Sequence, residues 1–202
     1  MANKRNIFEE VGSDTKITSA SAGAIARAGS GDRHWVRLWL WSLVGLIIVM
    51  ITVGGLTRLT DSGLSITEWD PVMGAIPPLS AAAWQSAFAA YQTTAEFAVQ
   101  NAAMSLAEFK VIFWWEWGHR QLGRFIGLTW ALGFALLFFT GKLPKARRLS
   151  LFAIGPFIGL QGVIGWLMVH SGLDGVRLDV ASYWLMAHLG AAFALFTSVI
   201  SE

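Results

Sequence analysis

The sequence predicts an all-α, polytopic membrane protein with four transmembrane helices in a bundle. Of its 202 residues, 54% are hydrophobic and only 14% are charged, and the mean hydropathy is +0.52, which lies outside the usual range of soluble domains. Four apolar runs are long enough for a helix to cross a hydrocarbon core of roughly 30 Å. None shows the alternation typical of an outer-membrane barrel, which leaves the helical class.

The predicted spans cover residues 35–56, 114–140, 149–169 and 182–200. Basic residues precede the first span and fill the short connection between the second and third, so the positive-inside rule places both on the cytoplasmic side. The long loop 57–113 and the connection 170–181 carry more acidic residues and are predicted to face outward. The sequence therefore predicts a multi-pass protein of a bacterial inner membrane with a cytoplasmic N-terminus.

Composition also indicates the nature of the N-terminal tail and limits the possible ligands. Residues 1–33 are polar and basic at intervals and lack a secretory signal, which predicts a disordered cytoplasmic tail before a transmembrane domain of residues 34–202. The net charge of +2 gives no argument for nucleic-acid binding. Because the chain has no cysteine, a bound metal must use histidine, carboxylate or an organic cofactor.

The long outer loop divides into two parts. Its first part is rich in proline and glycine, and a helix is predicted to start near Ser80, which is a suitable N-cap. Trp84, Phe88 and Tyr91 then recur at helical spacing, which predicts an amphipathic helix. Two interpretations stand side by side: a lid over the mouth of the bundle, or a passive surface helix.

A short internal repeat relates the two halves of the bundle. The first span ends in the segment 53–56 and is followed by 61–64, and the third span ends in the similar segment 164–167, followed by 170–173. The second and fourth spans each carry a histidine shortly after their outer end. This pattern predicts two similar hairpins packed as a four-helix bundle.

The two span histidines, His119 and His188, lie about five and six residues inside the outer ends of their helices, which puts both some 8–9 Å deep. Two imidazoles at one level across a bundle can bind the iron of a flat macrocycle from both sides. The sequence therefore predicts a heme site with His119 and His188 as the iron ligands. His170 and His34 are assigned to the membrane interfaces.

One face of the second span combines charge with glycine. The residues at its helical spacing are Glu116, His119, Arg120, Gly123, Arg124 and Gly127. Ionisable residues inside a span are costly and usually face the bundle interior at functional sites, while glycines allow close approach of a planar ligand. The plainer alternatives are histidines that serve packing and a Glu116–Arg120 ion pair that serves insertion or stability.

An ordered set of motifs resembles the heme A synthase family. The motifs occupy residues 54–60, 62–65, 69–71, 77–78, 108–110, 113–120, 122–124, 161–162, 165–166, 171–173 and 188–189. The core Glu-x-x-His-Arg motif is short, but the whole set in this order is specific, and it extends from about Trp35 to Phe196.

The resemblance implies an oxidoreductase that converts a methyl group of heme O into a formyl group, giving heme A for cytochrome oxidase. It implies that His119 and His188 are the histidine pair that holds the substrate heme and that Glu116 is the catalytic carboxylate. Arg58, Arg120 and Arg124 are candidates to contact the heme propionates, because a guanidinium group matches a carboxylate in bidentate fashion.

The chain departs from this family in its length. Family members have eight spans, and their second half holds a heme b that supplies electrons, whereas this chain stops at Glu202 after the fourth span. We therefore expect it to be the substrate-heme half, either as a fragment or truncated product or as a chain that acts with a partner supplying the other half. The absence of cysteine points to the type that resembles proteobacterial and mitochondrial members. Expected partners are heme O synthase, an electron donor and a second copy of the chain. The alternatives are a bis-histidine b-type cytochrome that only carries electrons, or a non-catalytic assembly subunit.

Overall fold

The computed structural model describes residues 30–175 and 177–202, with side chains from residue 33 onward, so residues 1–29 of the predicted tail lie outside the described residues. The described part contains six α-helices and no strand. The helices are α1 (Ser30–Leu59), α2 (Ala81–Tyr91), α3 (Ala95–Gln100), α4 (Leu106–Phe139), α5 (Arg148–Gly172) and α6 (Ser182–Ser201). Two short 3₁₀ turns, Met73–Ala75 and Lys145–Arg147, complete the connections.

Four of these helices, α1, α4, α5 and α6, are long and apolar enough to cross a membrane, which confirms the predicted polytopic all-α class. The helix that contains the second predicted span, α4, begins at Leu106, before the predicted start of the span at residue 114. Its start is fixed by a capping box, in which Ser105 Oγ accepts from the Glu108 amide and the Glu108 carboxylate accepts from the Ser105 amide at 2.8 Å. The polar first turn hides this start from a hydropathy pattern.

Two tryptophan–glycine contacts hold the spans together at one end of the bundle. Trp39 of α1 donates from Nε1 to the Thr129 carbonyl at 3.1 Å and lies over Gly133 of α4. Trp130 of α4 donates to the Leu151 carbonyl at 3.1 Å and lies over Gly155 of α5. A side chain at either glycine would collide with an indole ring, so the backbones at this end, the base of the bundle, are closely packed.

The opposite end, which we call the loop end, is where residues 60–105 and 173–181 connect the helices. The predicted helix after Ser80 is present as α2, and Ser80 Oγ caps it by accepting from the Ala83 amide at 3.1 Å. Its aromatic face packs on the first turns of α4, with Phe88 and Tyr91 against Phe109. The helix contributes no residue to the central cavity described below. Whether it acts as a lid or as a passive helix stays a prediction.

Candidate functional site

A cavity of about 500 Å³ opens among the four spans toward the loop end, a volume in the range of small-molecule sites. The structure brings all six residues singled out by the sequence to its wall: Arg58, Glu116, His119, Arg120, Arg124 and His188. The cavity wall is mostly apolar otherwise, with side chains such as Ile47, Met50 and Leu195 deeper in the bundle. His34 and His170 do not line it.

Each cavity histidine packs against a glycine of a neighbouring span. A methyl group added at Gly54 of α1 would lie 3.1 Å from Nε2 of His119, and one added at Gly165 of α5 would lie 3.1 Å from Cε1 of His188. These two glycines occupy equivalent positions in the internal repeat, and so do the two histidines. The repeat therefore has a structural meaning: each hairpin supplies one glycine and one imidazole to the same cavity.

The surroundings of His188 include two buried polar atoms without a partner. Gln161 of α5 donates from Nε2 to the His188 carbonyl at 3.2 Å, so its amide oxygen faces away from that contact. Among the described residues, neither this oxygen nor Nδ1 of His188 has a hydrogen-bond partner. A pair of imidazoles beside two glycine clefts, in a cavity of this size, is a donor set that fits a heme iron and a planar macrocycle.

Glu116 is a buried carboxylate, only 2% exposed, with every hydrogen-bonding direction used. One of its oxygens accepts from Ser65 Oγ and from the Ile66 amide, each at 2.7 Å. The other accepts from Arg120, through Nε at 3.0 Å and through Nη2. The carboxylate thus joins α4 to the loop after α1 and holds a fixed position on the cavity wall.

The arginines predicted to meet propionates make protein contacts in this structure. Arg120 and Arg124 of α4 donate to carbonyl oxygens of the loop between α1 and α2. The acceptors are Ile66, Glu68, Asp70 and Pro71, at 2.8 to 3.1 Å. Arg58 forms ion pairs with Asp61 and Asp179 at the loop end. The guanidinium groups hold the loops over the cavity, and their role toward propionates stays a prediction.

Sequence reasoning missed one buried carboxyl group on the cavity wall, that of Glu96. It is 4% exposed and lies in the first turn of the short helix α3, which Thr94 caps by accepting from the Phe97 amide at 3.2 Å. Glu96 accepts a hydrogen bond from the Tyr91 hydroxyl at 2.8 Å, and Asn101 donates to the same hydroxyl oxygen at 2.8 Å. No sequence pattern signals this burial, because it depends on contacts that form only in the folded outer loop.

Burial dominates the electrostatics of this group. Desolvation raises the pKa of Glu96 from its ordinary value of 4.5 to about 7, the Tyr91 hydrogen bond opposes that rise, and the charge of Glu116 adds to it. Burial and the neighbouring Glu96 charge also raise the pKa of Tyr91, which remains a neutral donor at physiological pH.

The fold and the cavity define a multi-pass membrane protein that places a pair of histidines and a buried carboxylate in one chamber between its spans. The chain belongs to the COX15-CtaA family, described as cytochrome oxidase assembly protein, whose sequence pattern matches residues 37–202. The site residues predicted from the sequence all lie within this matched region.

Several similar proteins carry a more specific name than the family description. The chain is 57% identical to a heme A synthase of Dinoroseobacter shibae over 96% of its own length and 51% of that protein. It is 53% identical to a heme A synthase of Cereibacter sphaeroides, covering 95% of this chain and 49% of the relative. A heme A synthase of Roseobacter denitrificans is 53% identical over 96% of this chain and 52% of the relative. The chain thus spans about half the length of these relatives, and no solved structure matches it.

Proposed function

We propose that this chain is the substrate-heme half of a heme A synthase, an oxidoreductase that converts a methyl group of heme O into a formyl group for cytochrome oxidase biogenesis. The observation that carries the proposal is the pairing of His119 and His188 on one cavity, each against a glycine of the neighbouring span. The family and the names of the relatives support the same reaction.

The roles of the residues follow from their positions. His119 and His188 would hold the iron of the substrate through ring nitrogens, and Gly54 and Gly165 leave room for the two imidazole rings. When bound, the heme supplies the redox-active iron and the methyl carbon. Glu116, fixed by Ser65 and Arg120, would accept or return a proton as the methyl carbon is oxidised.

Three arginines line the cavity near the loop end: Arg58, Arg120 and Arg124. Their guanidinium groups are suited to pair with the carboxylates of two heme propionates. With the basic connections on the cytoplasmic side, the cavity opens toward the outer side of the membrane. Heme O synthase, an electron donor, a half that carries heme b and a second copy of the chain are the proposed partners.

Reconstitution with heme tests the site. The purified chain should bind heme with the absorption spectrum of a six-coordinate bis-histidine complex, and both His119→Ala and His188→Ala should lose that spectrum. His170→Ala is the matched control, because His170 stacks on Trp166 outside the cavity, and it should bind as the wild type does. Retention of the bis-histidine spectrum in either cavity variant refutes the axial pair.

A second experiment separates the enzyme from an electron-carrying b-type cytochrome. The chain is produced together with the remaining half of the Dinoroseobacter shibae relative, heme O is supplied, and heme A is measured by mass spectrometry. Glu116→Gln should abolish heme A formation while the heme spectrum persists. Undiminished heme A would remove the catalytic role of Glu116, and a wild-type pair that binds heme but forms no heme A would favour the cytochrome.

A further inference from the structure

The carboxyl group of Glu96 has no role in the function proposed above, yet it is built into the same cavity. It is nearly inaccessible to solvent, and one of its oxygens is fixed by the Tyr91 hydroxyl, which Asn101 holds in turn. A buried carboxyl group held by a three-residue network is costly, because its ionised form loses hydration. A structural role alone would be served by a neutral amide at this position.

The position of Glu96 relative to the other carboxyl groups is informative. Glu116 lies on the same cavity wall within the membrane-spanning part of α4, and Asp61 and Asp179 lie on that wall at the loop end, where both are substantially exposed. Glu96 lines the same cavity, and the charges of all three carboxylates act on it. A proton that leaves Glu116 can therefore reach Glu96 and the exposed pair without leaving the cavity.

We propose that Glu96 is a proton-relay residue, which exchanges protons between Glu116 and the aqueous loop end of the cavity. A proton that leaves the Glu116 carboxyl group forms an O–H bond on Glu96, and that bond breaks when the proton passes to water beside Asp61 and Asp179. The relay rests on the proposed function for the task of Glu116. Glu96 acts through Glu116 and touches no reacting atom.

The charges around Glu96 suit this task. Tyr91 from α2 donates a hydrogen bond to it, and the charges of Glu116 from α4, of Asp61 from the connection after α1 and of Asp179 from the connection before α6 act on it. Arg58 pairs with both aspartates. Because burial raises the pKa of Glu96 to about 7, the protonated and ionised forms are both populated near neutral pH. A carboxyl group with an ordinary pKa would be ionised there and would hold a relayed proton only briefly.

Two variants distinguish a relay from a structural contact. Glu96→Gln keeps a carbonyl oxygen that accepts from Tyr91, so the fold persists while titration is removed. Tyr91→Phe removes the hydrogen bond that favours the ionised form, so the carboxyl group should titrate about one pH unit higher. Glu68→Gln is the matched control, since Glu68 is exposed in the outer loop and its side chain does not line the cavity.

The first readout is infrared spectroscopy of the heme-free chain across neutral pH. The wild type and Glu68→Gln should show a protonated-carboxyl C=O band that disappears with a midpoint near pH 7. The band should be absent in Glu96→Gln and shifted upward in Tyr91→Phe. A wild type without this band, or a Glu96→Gln variant that keeps it, overturns the relay whatever the fate of the proposed function.

The second readout is the pH profile of heme A formation by the chain produced with its complementary half. The wild-type rate should rise through pH 7 as Glu96 ionises, and Glu96→Gln should be flat and about tenfold slower at pH 8. Tyr91→Phe should shift the rise upward. An unchanged profile in Glu96→Gln overturns the relay alone, whereas a wild type that forms no heme A overturns the proposed function and the relay with it.

Discussion

Two adjacent glycines of α1 differ in what surrounds them, which makes a sharp test of the histidine site. A methyl group at Gly54 would lie 3.1 Å from Nε2 of His119, whereas one at Gly55 would have no atom within 4 Å. Ordinary carbon contacts start at about 3.5 Å, so Gly54→Ala forces the imidazole aside by several tenths of an ångström. Gly55→Ala leaves the ring in place.

The expected magnitude follows from this displacement. Functional constellations tolerate errors of only about 0.5 Å, and disturbance of the groups that orient a metal ligand typically lowers affinity 10- to 100-fold. Gly54→Ala should therefore weaken heme binding by about tenfold or more, equivalent to about 1.4 kcal/mol. Both substitutions replace a helical glycine by alanine, which favours the helix by roughly 1 kcal/mol. The thermal stability of the heme-free chain should therefore not fall in Gly55→Ala.

The assay is heme titration of the detergent-purified chain followed by absorption, with thermal unfolding of the heme-free chain measured in parallel. Weaker binding in Gly54→Ala with normal binding in Gly55→Ala is the predicted result. Equal heme affinities in the two variants, whether both bind as the wild type does or both are weakened alike, would refute the idea that the Gly54–His119 contact shapes the site.

Three further outcomes are expected. Glu116→Ala should lower the free energy of unfolding by about 3–5 kcal/mol, because it leaves Arg120 buried without its partner; chemical denaturation checks this, and a loss below about 1 kcal/mol would contradict it. Gly133→Ala should destabilise the base of the bundle by about 1–3 kcal/mol, since a methyl group there would collide with the indole ring of Trp39. Gly127→Ala, where the nearest atom would be 3.9 Å away, is the control in the same thermal scan. Because the pKa of Glu96 is higher in the folded state, the folded protein binds more protons than the unfolded chain between about pH 4.5 and 7. The unfolding temperature should therefore fall as pH rises through that window, and the fall should be smaller in Glu96→Gln.

The long apolar runs and the spacing of charged and glycine residues were enough to predict the four spans, the helix after Ser80 and the residues that meet at the cavity. The start of α4 lies outside the predicted span because the spans were identified as apolar runs, whereas the capping box that begins this helix is polar. Glu96 was missed for a different reason. Its burial depends on contacts with Tyr91 and Asn101 that only the folded outer loop creates, and no periodicity in six residues of α3 reports them.

The partners of Arg120 and Arg124 were also beyond the sequence. Guanidinium groups on a cavity wall suggest anionic ligands, but their strongest contacts here are with backbone carbonyls of a loop some fifty residues away in the chain. Such contacts depend on the path of an irregular segment, which has no repeating pattern from which to predict it.

The two hairpins have nearly equivalent glycine–histidine contacts. A planar ligand between the hairpins would therefore meet similar packing on both of its faces. The hairpins differ on the histidine helix: α4 has Glu116 and Arg120 where α6 has Leu185 and Leu189. Such a ligand would meet polar side chains along the edge beside α4 and apolar side chains along the edge beside α6. Selection of one peripheral group among several would come from the polar hairpin alone, and the apolar hairpin could vary in sequence without altering that choice.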